Sequence, residues 1–160
     1  MQQYFVAQHA PSLLPDGKQW KLAWADEFDG FELDRSKWDF RLHLMHERHQ
    51  TFSTEGVELP GDSCVHLNLV EKDGQYYSPH LQTGYNFMDE APANGRYGKF
   101  TWPIAEFKQH KFLHRYGYYE CRCQLQKQPG WWSAFWLQSP IIGCCPDPAI
   151  AGVEVDVMES

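Results

Sequence analysis

Apolar and polar residues alternate with a period of two in several short runs of this chain, and no segment keeps the helical period for more than two turns. The clearest run is "VHLNLVEKDGQYY". There Val65, Leu67 and Leu69 fall on one face, and Asp73–Gly74 supplies the two-residue turn of a hairpin. "YGYYECRCQLQ" alternates Tyr119, Cys121, Cys123 and Leu125 against Glu120, Arg122 and Gln124, and is expected to form a second strong strand. "GWWSAFWLQS" is apolar on both faces, as in a central strand covered on each side. "WKLAWADEFDG" alternates briefly before the Asp29–Gly30 turn signal, "FELDRSKWDF" has room for one helical turn, and "HLQTGYNF" resumes an extended pattern. Residues 1–19 read as an extension or opening loop. The stretch from Met88 to Lys111, with Pro92, Gly95, Gly98 and Pro103, reads as loop, as does "PIIGCCPDPAIAG" before the last strand. Many short strands between turn signals predict an all-β sandwich.

That last strand, "VEVDVMES", sets three acids among apolar residues, and ionised carboxylates are costly to bury. Alternation puts Glu154 and Asp156 on one face and Val153, Val155 and Val157 on the other, the valines facing a core. Glu159 falls with the valines unless one extra residue, a bulge near Met158, returns it to the acid face. Three acids in a row on one sheet face suit retaining glycoside hydrolysis, which needs two carboxyl groups about 5–5.5 Å apart. The same pattern also fits a solvated acidic strand end, or a calcium site made of oxygen ligands. Trp131, Trp132, Phe135 and Trp136 lie just upstream, with Trp132, Ala134 and Trp136 sharing one face of their strand. Flat aromatic faces beside carboxylates suit the apolar C–H faces of sugar rings, and part of this set is equally suited to filling a core.

Composition narrows the alternatives. A chain of 160 residues holds one ordinary domain, and its aromatic content of 16% argues against general disorder. A formal charge of −7 speaks against a nucleic-acid groove. No apolar run approaches the ~20 residues of a membrane span, and no membrane partner is expected. The N-terminus lacks the basic start and apolar centre of a signal peptide, so secretion or export to a periplasm would rest on a signal outside this sequence. Five cysteines leave at least one thiol unpaired within the chain. Zinc held by Cys121, Cys123, Cys144 and Cys145 is the weaker reading beside buried or free thiols, because their spacing contains no C-x-x-C pair. "HLMHERH" spaces His43, His46 and His49 at intervals of three, a metal cluster or, more simply, a polar loop.

Four blocks, in order, resemble glycoside hydrolase family 16. "WADEFDGFELDRSKW" is similar to the family's opening segment, and "YGYYECRCQLQ" to its Tyr-Gly-x-x-Glu-x-Arg strand. "GWWSAFWLQ" is similar to Gly-x-Trp-Pro-Ala-Phe-Trp-Leu, with Ser133 in place of proline, and "GVEVDVMES" to the bulged signature Glu-x-Asp-x-x-Glu. The resemblance implies a β-jelly-roll whose concave sheet is a sugar cleft, with Glu154 as nucleophile, Glu159 as general acid/base and Asp156 assisting between them. It implies sugar contacts from Trp132, Trp136, His80 and Asn86. His80 stands where many glucanases of the family have an arginine. No cofactor is required for such chemistry, although some members hold a structural calcium, for which Glu27 is the matching position. The bulged signature is typical of laminarinase-, agarase- and carrageenase-like members, so the expected partner is a polysaccharide, either a β-1,3-glucan or a marine galactan. A non-catalytic carbohydrate-binding sandwich is the rival reading. Family domains are longer than this chain, so residues 20–160 are expected to be the N-terminal portion of a catalytic domain, preceded by the extension at 1–19.

Overall fold

The computed structural model describes residues 4–5, 7, 10–44, 47–84, 93–97, 100–104, 110–142 and 147–160. Within them the fold is all-β, as the alternation predicts. The strands are β1 (Asp39–Phe40), β2 (His43–Leu44), β3 (Glu47–Arg48), β4 (Phe52–Ser53), β5 (Val57–Glu58), β6 (His66–Leu67), β7 (Val70–Lys72), β8 (Gln75–Pro79), β9 (Leu81–Gln82), β10 (Ala93–Tyr97), β11 (Phe100–Ile104), β12 (Ala134–Gln138) and β13 (Glu154–Glu159). One four-residue helix, α1 (Pro148–Ala151), interrupts them.

The strands join in small sheets: β1 with β9, β2 with β3, β5 with β6, β10 with β11, β12 with β13, and β4–β8–β7. The predicted hairpin is β7–β8, paired Lys72↔Gln75 across Asp73 and Gly74. Both turn residues have positive φ, 52° and 78°, the signature of a type I′ turn whose twist matches that of the flanking strands. The predicted helical turn is present as well. Trp38 N donates to Asp34 O at 2.9 Å, and the Asp34 carboxylate caps the turn by accepting from Ser36 N at 2.9 Å. That turn delivers Trp38 to an aromatic cluster, edge-on to Trp24 and stacked with Phe28, with Phe112 stacked on Trp24. Asp26 locks the cluster by accepting from Trp38 Nε1 at 2.8 Å.

Several expectations need correction. Residues 93–104, read as loop, contain the antiparallel pair β10–β11 in register Ala93↔Ile104 to Tyr97↔Phe100. Their Gly and Pro residues hide the pairing from a pattern search. "YGYYECRCQLQ", expected to be a strong strand, forms no strand and joins no ladder among the described residues. "WKLAW" likewise makes its contacts through its rings and not through a ladder. The loop before β13 contains α1, capped by Asp147, whose carboxylate accepts from Ala149 N at 2.9 Å.

Entry into β13 depends on one glycine. Gly152 ends α1 at φ 87°, and a Cβ there would come within 2.6 Å of the Ser139 side chain. Ser139 N in turn donates to Val153 O at 3.0 Å, so the tail of β12 and the start of β13 meet where only glycine fits. The valine face of β13 was expected in a core and is instead exposed: Val153, Val155 and Val157 show 67%, 49% and 51% of their surface. No second layer covers that face among the described residues. Ala151, at the end of α1, is the buried hydrophobic residue among them. No described helix is long and apolar enough to cross a membrane.

Candidate active site

The pairing of β12 with β13 decides where the acids point. Gln138 lies opposite Glu154, Leu137 opposite Val155 and Trp136 opposite Asp156; the register then shifts, so that Phe135 faces Met158 and Ala134 faces Glu159. Val157 is the extra residue of a bulge, next to the position predicted from the odd spacing of the acids. Directly opposed residues share a sheet face. Because Ala134, Trp136 and Gln138 alternate on one face of β12, Glu154, Asp156 and Glu159 lie together on that same face of β13. Ser133 and Ser160 extend the ladder with a reciprocal pair of backbone bonds at 3.1 and 3.0 Å.

Each outer acid is held by a donor across the ladder. Gln138 Nε2 donates to Glu154 Oε2 at 2.8 Å, and Trp132 Nε1 donates to Glu159 Oε1 at 3.2 Å. All three acids are exposed, so their charges carry no large desolvation cost and need no buried counter-ion. On the ladder Glu154 and Glu159 are about 13 Å apart along the strand. Each reaches a donor on the β12 side, and Asp156 stands between them on the ladder. Trp132 is 80% exposed, while Trp136 is half-buried. One tryptophan therefore offers a free ring face, and the other forms the floor.

Arg41 was not anticipated from the sequence. Its guanidinium carbon lies 4.5 Å from the centre of the Trp136 ring, and its Nε donates to His43 O at 3.3 Å. Burial pushes the Arg41 guanidinium below its ordinary pKa, and the Glu154 carboxylate opposes that fall, which puts the two charges within reach of each other. Arg41 N donates to His80 O at 2.8 Å, continuing the β1–β9 pairing, so the arginine sits on the strand beside His80.

His80 thus joins the site through Arg41. Its ring packs 4.0 Å from Phe52, whose other neighbour is His49 at 4.2 Å, and Ser78 Oγ lies 3.3 Å from its Nε2. Burial first, then the charges of Arg41 and His49, push the His80 imidazole down to about 4. His80 is therefore a neutral hydrogen-bonding group at ordinary pH. The stability consequence has a definite sign. Above the ordinary value of 6.5 folded and unfolded chains both hold the ring neutral, and nothing is lost. Below it the unfolded chain takes up a proton that the folded chain refuses, so stability drains away as pH falls from 6.5 towards about 4. The loss should be on the order of 1–3 kcal/mol, and urea unfolding midpoints of a His80→Gln variant should lack that component across the same pH range.

The remaining predicted residues lie elsewhere. Asn86, His46, Cys144 and Cys145 fall outside the described residues. Glu27 lines a cavity of about 360 Å³ with Asp26, Asp29, Glu32, Asp34 and Lys37, remote in the chain from the acid ladder. Cys121 and Cys123 are free and exposed, and His49 accepts or donates a hydrogen bond with Thr51 Oγ1 at 3.1 Å. Among the described residues no three His, Cys, Asp or Glu side chains are grouped to hold a metal ion.

The site is an acid ladder on one face of an all-β framework, backed by tryptophans and bordered by an arginine. Over 145 residues the chain is 26% identical to glucan endo-1,3-beta-glucosidase A1 of Niallia circulans, an alignment that covers 87% of this chain and 20% of that protein. The chain thus spans about a fifth of the length of this curated relative. No family model matches the chain, and no solved structure does.

Proposed function

We infer that this chain carries the catalytic acids of a retaining, endo-acting β-glycanase, with β-1,3-glucan as the favoured substrate. The observation that carries the reading is the β12–β13 register, which sets Glu154, Asp156 and Glu159 on one face with Trp136, while Trp132 joins them through its bond to Glu159. The similarity to a glucan endo-1,3-beta-glucosidase supports the substrate class. A sugar lies along the ladder, its apolar face on tryptophan. Glu154 attacks the anomeric carbon while Glu159 gives its proton to the departing glycosidic oxygen, breaking that bond and leaving a glycosyl ester on Glu154. Glu159, now a carboxylate, takes a proton from water as the water attacks the same carbon and frees Glu154. Asp156 lies between the two on the same face of the strand, as the assisting carboxylate.

In this reading residues 20–160 are the part of a jelly-roll catalytic domain that bears the signature strand, and the 1–19 segment is an extension. A polymer substrate that cannot cross a membrane places the work outside the cytoplasm. The test is release of reducing ends from laminarin, agarose and carrageenan by the purified chain. Cleavage of laminarin above the other two is the expected outcome, and cleavage of a galactan alone would reassign the substrate. Binding to laminarin with no release of ends at any pH would reduce the function to carbohydrate binding.

A further inference from the structure

Two thiols lie together in a part of the chain that the acid ladder does not use. Cys121 and Cys123 are both exposed and free, and their side chains hydrogen-bond each other. The residues on either side of Cys121 are committed elsewhere. Glu120 accepts from Leu13 N at 3.3 Å and from the Tyr118 hydroxyl at 3.1 Å, and Arg122 donates to Ala10 O. Those bonds tie residues 10–13 to this stretch and anchor it at residues 120 and 122, so the two sulfurs meet within a held arrangement. A cysteine packed in a core acts as a small hydrophobe, and an exposed pair in contact gains little of that kind. What distinguishes such a pair is its reactivity.

Spacing along the chain sets what that reactivity can do. With one residue between the cysteines, their Cα atoms are at most about 7 Å apart, the upper end of the span that a disulfide bridges. A bond is attainable but strained, and strained, exposed disulfides are the readily reduced ones. Two thiolates alone do not complete a structural zinc site, and no third ligand is grouped with them among the described residues. We propose that Cys121 and Cys123 are a redox-modification site, a dithiol that a low-molecular-weight disulfide such as glutathione disulfide converts reversibly to an intrachain disulfide. Although Cys121 is exposed, its sulfur is partly desolvated; that, then the charge of Cys123 and the bond between the thiols, pushes the Cys121 thiol above its ordinary value. Cys123 is accordingly the attacking sulfur. Its thiolate takes one sulfur of the reagent, forming a mixed disulfide and expelling the other half as a thiolate. Cys121 then gives up its proton, attacks the Cys123 sulfur, forms the Sγ–Sγ bond and expels the second half. The protein thiols lose two electrons and two protons, and the reagent gains both as two free thiols. The site stands independently of the hydrolase reading.

Peptide mapping tests it. Reduced wild-type protein is treated with glutathione disulfide, its remaining thiols are alkylated, and its tryptic peptides are weighed by mass spectrometry. Trypsin cuts after Arg115, Arg122 and Lys127, so residues 116–122 and 123–127 separate unless their sulfurs are joined. The expected result is that the two stay joined with neither sulfur alkylated, while Cys64 carries a glutathionyl or an alkyl group. Dithiothreitol added before alkylation should separate them completely. In Cys121→Ser the first step goes forward and the second cannot, so Cys123 should keep a glutathionyl group. Separate groups on Cys121 and Cys123 in the wild type overturn the proposal, as does a bridge from either one to Cys64 or to another cysteine. A pair left untouched by the reagent, or a joined pair that dithiothreitol does not release, overturns it as well. A folded Cys121→Ser whose Cys123 takes up no glutathione has the same force. Should Cys121→Ser fail to fold, the wild-type peptides decide alone.

Discussion

Glu154→Gln is expected to abolish hydrolysis of laminarin while leaving retention in laminarin gels within a fewfold of wild type. The substitution keeps the shape of the side chain and an oxygen able to accept from Gln138 Nε2, so the cross-strand bond now 2.8 Å long can persist. What disappears is the anion that, in the proposed mechanism, would form the glycosyl ester, and an amide is a very poor nucleophile for that step. Losing a covalent nucleophile from an otherwise intact site should lower kcat at least about 10⁴-fold. Stability should change little, because Glu154 is exposed and its loss leaves no buried charge unpaired. The paired measurement separates chemistry from binding. A fall in both would point to lost structure, and a variant that still cleaves at the wild-type rate would take the nucleophile away from Glu154.

The part of the site that the sequence makes legible is the part built from neighbours in one strand. Alternation alone groups Glu154 with Asp156. The odd spacing to Glu159 demands a bulge, and the observed slip at Val157 supplies it one residue from where it was expected. Trp132 and Trp136 follow from the same parity on β12. The Asp73–Gly74 hairpin was equally legible, because positive φ at two adjacent residues is a requirement that side-chain type reveals. Strand existence was harder to judge. Tyr119 to Leu125 alternate better than residues 93–97 do, yet only the latter are paired, since a ladder needs a second strand and a period in one strand says nothing of its partner.

Arg41 was illegible for the same reason on a larger scale. Nothing in "WDFRL" distinguishes its arginine from an ordinary exposed one. Its position comes from β1 pairing with β9, which sets it beside His80, and from its own approach to Trp136, far along the chain. The sequence does carry the complementary sign: a histidine, His80, where an arginine was expected. The neighbouring strand places a guanidinium next to it. The exposed valines of β13 teach the converse lesson, for alternation identifies which residues share a face and not whether anything covers that face.

Glu159→Ala should produce a different failure from that at Glu154, and the difference tests the assignment of roles. Removing the acid leaves the glycosidic oxygen to depart unprotonated, which should cost about 10²–10⁴-fold on a polymer whose leaving group is a sugar alkoxide. A substrate with an acidic phenol as leaving group needs no such proton and should still glycosylate Glu154. The glycosyl-enzyme then accumulates, because no base remains to activate water. Azide is already an anion and requires no base, so adding it should restore turnover and yield a glycosyl azide with the β configuration of the substrate. That configuration follows from two displacements at one carbon, the first by Glu154 and the second by azide. Glu154→Gln, which never forms the ester, should give no β-azide. Trp132→Phe offers a graded control, since it removes only the donor that lies 3.2 Å from Glu159 Oε1 and keeps an aromatic face for the sugar. Its effect should be a few-fold change in rate, because a donor that orients the acid/base has been lost. An α-azide, or rescue of Glu154→Gln in place of Glu159→Ala, would exchange or remove the two roles while leaving the geometry of the ladder as it stands.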